Sequence, residues 1–146
     1  MTPDMKSKLR HLLISHESYE HFPYTDTTGH ITIGIGRNLS DRGVLPTEID
    51  MMFDHDVDYF FNFLTDHFAW FPKLNDARQI ALVDMCFMGT RSFLTFDKMI
   101  AALEKGDYNL AAQEVVNSKY EDQVGQRAMD IATIIKTGSL DGIKAA

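Results

Sequence analysis

One short segment breaks the rhythm of this chain and limits what it can become. Almost everywhere the apolar residues recur at the three-and-four spacing of helices, but residues 22–36 alternate with a period of two around a turn at 26–29. A single small sheet among helices needs a neighbour to cover its apolar face. The expected fold is therefore α+β and predominantly helical, with a small antiparallel β-hairpin lobe joined by a long helix to a helical bundle.

The helices are marked by their ends. Thr2 and Pro3 offer a capping hydroxyl and a residue that lacks the N–H a first turn cannot use, and Met5, Leu9, Leu12 and Leu13 follow on one face. This predicts a helix over about 3–18, whose apolar stripe runs on to a carboxylate, Glu17, where the pattern expects a hydrophobe. Pro46 opens a second helix carrying Ile49, Met52, Phe53, Val57, Phe60, Phe61 and Leu64. From Asn75 to Met88 apolar residues surround the helix almost completely, as expected of the central member of a bundle. Further helices are expected at about 96–104, 108–118 and 126–136, with Gly106, Gly125 and Gly138 between and after them. The reading gives one domain over 1–146: a sheet lobe about 19–45, a connecting helix about 46–64, and a helical lobe about 65–146 joined by helix 3–18.

Composition narrows the function. The 146 residues are 45% apolar and include a single cysteine, Cys86, so stability is expected from packing without an internal disulfide. The net charge of −7 is concentrated in residues 46–66, which hold Glu48, Asp50, Asp54, Asp56, Asp58 and Asp66 and no lysine or arginine. Such a field argues against nucleic acid as partner. No apolar run reaches the length of a membrane span and no basic-then-apolar export pattern opens the sequence, so neither membrane insertion nor a signal peptide is expected. A monomer without cofactor or metal is expected.

Familiar motifs fail on spacing. His16 and His21 are five apart where a zinc-binding helix face needs four, and Gly34-Ile35-Gly36 is followed by Leu39 in place of the third glycine of a dinucleotide loop. What is left is two acids in contrasting settings: Glu17 at the end of an apolar helix face, expected half-buried, and Asp26 in a polar turn. An acid that keeps its proton and another that stays ionised are what glycosidic cleavage needs, one protonating the leaving oxygen and one activating water. In the second strand Ile31, Ile33 and Ile35 are expected on one face and Thr32, Gly34 and Gly36 on the other. That nearly bare face suits either a ligand lying against the backbone or close packing on another strand.

Glu17, Asp26 nine residues on and Thr32 six further, set in the stretch from Tyr24 to Gly36, closely resemble the pattern of the phage-type, T-even-like lysozymes. Similarity continues through Phe53-Asp54-His55-Asp56-Val57, through Asp84-Met85-Cys86-Phe87-Met88-Gly89, and from Gln123-Val124-Gly125-Gln126-Arg127-Ala128 to Lys136-Thr137-Gly138. The resemblance implies a muramidase that hydrolyses the β-1,4 bond between N-acetylmuramic acid and N-acetylglucosamine in bacterial peptidoglycan. It implies a phage endolysin, made in the host cytoplasm and admitted to the wall in the periplasm through a separate pore. By the same resemblance Glu17 is the general acid, and Asp26 with Thr32 positions and activates the attacking water. Such direct attack inverts the anomeric centre and needs carboxyl groups about 6.5–9.5 Å apart. Gly34 and Gly36 would meet sugar rings, Phe87 would line the cleft on the bundle side, and Arg127 would pair with the acid. Arg37 stands where a histidine is common and is expected to pair with Asp56. A lytic transglycosylase and a wall-binding protein without turnover are the alternatives.

Overall fold

The computed structural model describes residues 1–118 and 125–144. Gln123 and Val124 of the resembling stretch lie outside them. The chain divides into two compact units, Met1–Met52 and Phe53–Ala146.

Unit 1 opens with α1 (Pro3–Glu17). Its start follows from the sequence, because the Thr2 hydroxyl accepts the Met5 N–H at 3.2 Å and Asp4 sits in the positive first turn. Its end is less ordinary. Ser18 caps the helix with φ 65° and ψ −174°, and it is the one non-glycine residue with positive φ among those described. That region is close to glycine-only, so the turn after Glu17 is held under strain of about 1–3 kcal/mol.

Three antiparallel strands follow in the order β1-β2-β3: β1 (Glu20–Thr25), β2 (Ile31–Gly34) and β3 (Arg37–Asn38). Tyr24 faces Thr32 and Thr25 faces Ile31, while the register slips between Glu20 and Tyr24. The strand is shorter than the pattern indicated, and its most buried side chain lies on the small-residue face. Ile31 is half exposed, Thr32 is buried, and the strand stops at Gly34. Gly34 and Gly36 both have φ near +70°, so they build the turn into β3 and do not continue one flat face.

The long helix α2 (Pro46–His67) contains the boundary between the units. Glu48, its third residue, accepts the Leu45 N–H at 2.7 Å, which is half of a capping box.

Unit 2 continues with a turn of 3₁₀ helix (Phe71–Lys73), α3 (Asp76–Cys86), α4 (Thr90–Leu94), α5 (Asp97–Glu104), α6 (Tyr108–Val116) and α7 (Gln126–Thr137). All the buried apolar residues described lie in this unit, among them Leu64, Phe71, Leu82, Met85, Phe93, Leu103 and Ile135. Cys86 is one of them, and burial pushes its thiol up to about 12, so it serves as packing. The expectation that α3 is covered all round is corrected: Ile80 is half exposed and Val83 half-buried, which leaves one side of the helix open. The sequence pattern indicated no helix at α4, whose five residues are too few for a periodic signal.

The end of α7 is tied back to the start of α3. The Arg78 guanidinium donates to the carbonyl oxygens of Ile135 at 2.8 Å and Lys136 at 3.4 Å, and its carbon lies 3.6 Å from the centre of the Tyr108 ring. Asn75, the N-cap of α3, donates to Gly138 at 2.8 Å. Gly138 is left-handed, and a Cβ there would stand 2.9 Å from both Arg78 and Asn75, so only glycine fits.

Candidate active site

The β1–β2 turn is organised around one carboxylate. Asp26 Oδ1 accepts the Thr28 N–H at 2.9 Å, the Thr28 hydroxyl at 2.8 Å and the His30 N–H at 2.9 Å. An aspartate that folds its own turn in this way is a common local motif. The second oxygen is treated differently. The hydroxyl of the buried Thr32 lies 3.4 Å from Asp26 Oδ2 and 3.3 Å from the His30 carbonyl oxygen, two acceptors for its one proton. One oxygen is thus saturated and anchors the side chain, while the other retains lone pairs.

The bond from the His30 backbone, followed by that from the Thr28 hydroxyl, holds the Asp26 carboxyl below its ordinary value. Asp26 is therefore an ionised acceptor at neutral pH, as its polar turn led one to expect. Thr32 is placed beside it by strand register.

Glu17 is the last residue of α1 and is exposed, which corrects the expectation of a half-buried carboxyl. What fixes its stem is contact with the β2–β3 turn: a Cβ at Gly36 would lie 3.0 Å from Glu17 Cγ. Gly36 thus serves the close approach of Glu17 as well as a positive φ. Around Gly34, by contrast, an added Cβ would meet nothing within 4 Å, so this stretch of backbone is open to a ligand. Tyr24 donates from its hydroxyl to the Glu17 carbonyl at 3.1 Å. Burial first, then the neighbouring Glu17, Glu20 and Asp26, keeps that phenol above its ordinary value and so in its donor form.

Arg37 has a partner within unit 1. Its two terminal nitrogens bind both oxygens of Glu48 at 2.8 and 2.7 Å, and one also reaches the Gly43 carbonyl at 3.2 Å. Glu48 fits because the Leu45 cap already orients its carboxylate as a fork for the guanidinium. The pair pulls the Glu48 carboxyl down to about 2.

Unit 2 brings Phe87 and Arg127 together on the open side of α3. A groove of about 750 Å³ is lined there by apolar residues of α2 and α3, by Phe87, and by Asp84 and Arg127. Phe87 stacks near-parallel on Phe53 at 6.5 Å and packs against Phe60 at 4.8 Å. Within unit 2 the Arg127 guanidinium grips Asp84, donating to the carboxylate at 2.7 Å and to the backbone carbonyl at 2.6 Å.

Sequence reasoning missed the partners more than the principals. Thr28 and His30 escaped notice although an Asp-x-Thr turn is a known local motif, and Glu48 could have been found as the third residue of a helix opened by Leu45-Pro46. Asp84 could not, since its partner is 43 residues away.

A family model described as phage lysozyme matches residues 14–132, a span that includes Glu17, Asp26, Thr32 and Arg127. Two relatives from Dictyostelium discoideum, "Probable T4-type lysozyme 1" and "Probable T4-type lysozyme 2", are each 24% identical over 170 aligned positions, covering 96% of this chain and 100% of theirs. With more than half of its length matched by that model, the chain belongs to the phage lysozyme family.

Proposed function

We propose that this protein is a muramidase, hydrolysing the β-1,4 bond between N-acetylmuramic acid and N-acetylglucosamine in peptidoglycan by direct attack of water. The observation that carries the reading is the unequal bonding of Asp26: Oδ1 is held by three donors, and Oδ2 meets only the Thr32 hydroxyl at 3.4 Å. A water between Oδ2 and Thr32 would donate one proton to the carboxylate and keep a lone pair for the anomeric carbon. Glu17 protonates the leaving glycosidic oxygen. Attack by water from the face opposite the leaving group inverts the anomeric centre. The open backbone at Gly34 gives sugar rings a surface to lie on.

The biological role that goes with this chemistry is host-cell lysis as a phage endolysin, made in the cytoplasm and released to the wall through a separate pore. The deciding experiment incubates purified peptidoglycan with the protein and with Glu17→Gln, and scores reducing-end muropeptides against anhydro-muramyl ends. Reducing ends from the parent alone are expected. Anhydro ends would make it a transglycosylase, and wall binding without products would leave a binding protein on a lysozyme fold.

A further inference from the structure

The Thr28 hydroxyl stands between two acceptors. Its oxygen is 2.8 Å from Asp26 Oδ1 and 2.6 Å from His30 Nδ1. A hydroxyl has one proton, so it cannot donate to both. On its far side the His30 ring meets Asp41, with Nε2 at 3.3 Å from Oδ2. Asp41 is itself fixed, since Asn38 donates to the same carboxylate at 2.9 Å and accepts the Asp41 N–H at 2.9 Å. The carboxylate on Nε2 places the single proton of a neutral imidazole on that nitrogen. Nδ1 is then bare and competes with Asp26 for the Thr28 proton. When the ring gains its second proton, Nδ1 becomes a donor to Thr28 and the competition ends. All the bonds then run one way: His30 to Thr28, Thr28 to Asp26.

We propose that His30 is a positioning residue whose protonation turns the Thr28 hydroxyl toward Asp26, so that Asp26 is held for its reaction by imidazolium and released in part when the imidazole is neutral. The proposal rests on Asp26 being the group that activates water. Two charged groups face the ring: Asp26 from the turn, 3.8 Å from Nδ1, and Asp41 from the segment after β3. Neither carboxylate has another cationic partner among the described residues. Only Oδ1 loses a donor when the ring is neutral, so Oδ2 stays available for water and Asp26 becomes less well oriented rather than blocked.

The test has a kinetic arm and a spectroscopic arm. As rising pH takes the second proton from the imidazole, kcat on peptidoglycan should fall while KM holds. The expected drop is about tenfold, the usual effect of one hydrogen bond to a charged group. His30→Phe and Thr28→Val should both remove this step from the profile, and Thr28→Ser, which keeps the hydroxyl, should restore it. In parallel, the ¹³C shift of the Asp26 carboxyl, followed by NMR, should inflect with the His30 ring in the parent and in Thr28→Ser but not in Thr28→Val. A parent profile unchanged in His30→Phe, or an Asp26 inflection that survives Thr28→Val, would overturn the proposal. Loss of thermal stability in the variants with the pH step intact would reduce His30 to a structural part. If the parent shows no turnover while the coupled inflection is present, the relay stands and the muramidase reading is what fails.

Discussion

The two units of this protein are stabilised by opposite means. In Met1–Met52 the one buried residue described is Thr32, a hydroxyl, and what orders the unit is polar: the Asp26 turn, the Arg37–Glu48 fork and the helix caps. Phe53–Ala146 holds the apolar core. The residues of the proposed chemistry, Glu17, Asp26 and Thr32, all belong to the polar unit. A site that must exchange protons and admit water gains from hydrogen bonds that fix side chains without excluding solvent, whereas a core gains from the reverse. Activity and stability should therefore respond to different substitutions.

The largest break expected is Asp26→Asn, which keeps the shape of the turn but removes the proton acceptor. Wall hydrolysis should fall about 10²–10⁴-fold with the melting temperature of unit 2 unmoved, as read by turbidity loss and calorimetry. A melting temperature that fell with the rate would mean the polar turn also supports the core. The complementary change, Leu82→Ala, empties part of that core and should cost about 2–5 kcal/mol in denaturant titrations. The rate per folded molecule should hold, and a rate that collapsed below the melting transition would deny the division.

How far this division was legible before the structure depends on the range of each interaction. Helix starts at Pro3 and Pro46 and the ends at Gly106 and Gly138 are written in one or two residues, and they stand where expected. The burial of the β2 face was not legible, because three isoleucines outweigh one threonine on any hydropathy argument, whereas the threonine is the side chain the turn encloses. Glu17, Asp26 and Thr32 stood out through their spacing. Their environments did not: nothing local indicated that Gly36 would press on the stem of Glu17, or that Arg37 would be held by Glu48.

Finer tests sharpen the contrast inside unit 1. Ser18→Gly should relieve the strained turn after Glu17 and raise stability by about 1 kcal/mol. If no gain shows in thermal unfolding, the positive φ is supported by contacts such as the Ser18 bond to Glu20 at 2.8 Å. The smallest effect concerns acid. Because the folded Glu48 carboxyl is depressed to about 2 from an ordinary 4.5, its contribution is complete above pH 4.5 and is lost as pH falls toward 2. Amide signals of Arg37 and Leu45, followed by NMR down that range, should shift in the parent and stay flat in Glu48→Gln. Identical titrations in both proteins would remove the fork from the account.

The bond from Arg78 to Ile135 also sets an order of manufacture. Its partners are 57 residues apart, so α3 leaves the ribosome with its arginine untied and its apolar side uncovered until α7 has been made. At roughly 5–20 residues per second that interval is about 3–11 seconds. The Asp26 turn needs no such wait, since Asp26, Thr28, His30 and Thr32 emerge together. A nascent chain thus has its reactive turn early and its stable half late. Translation that stops short of α7 would leave a product with all three candidate site residues, Glu17, Asp26 and Thr32, and an unfinished core.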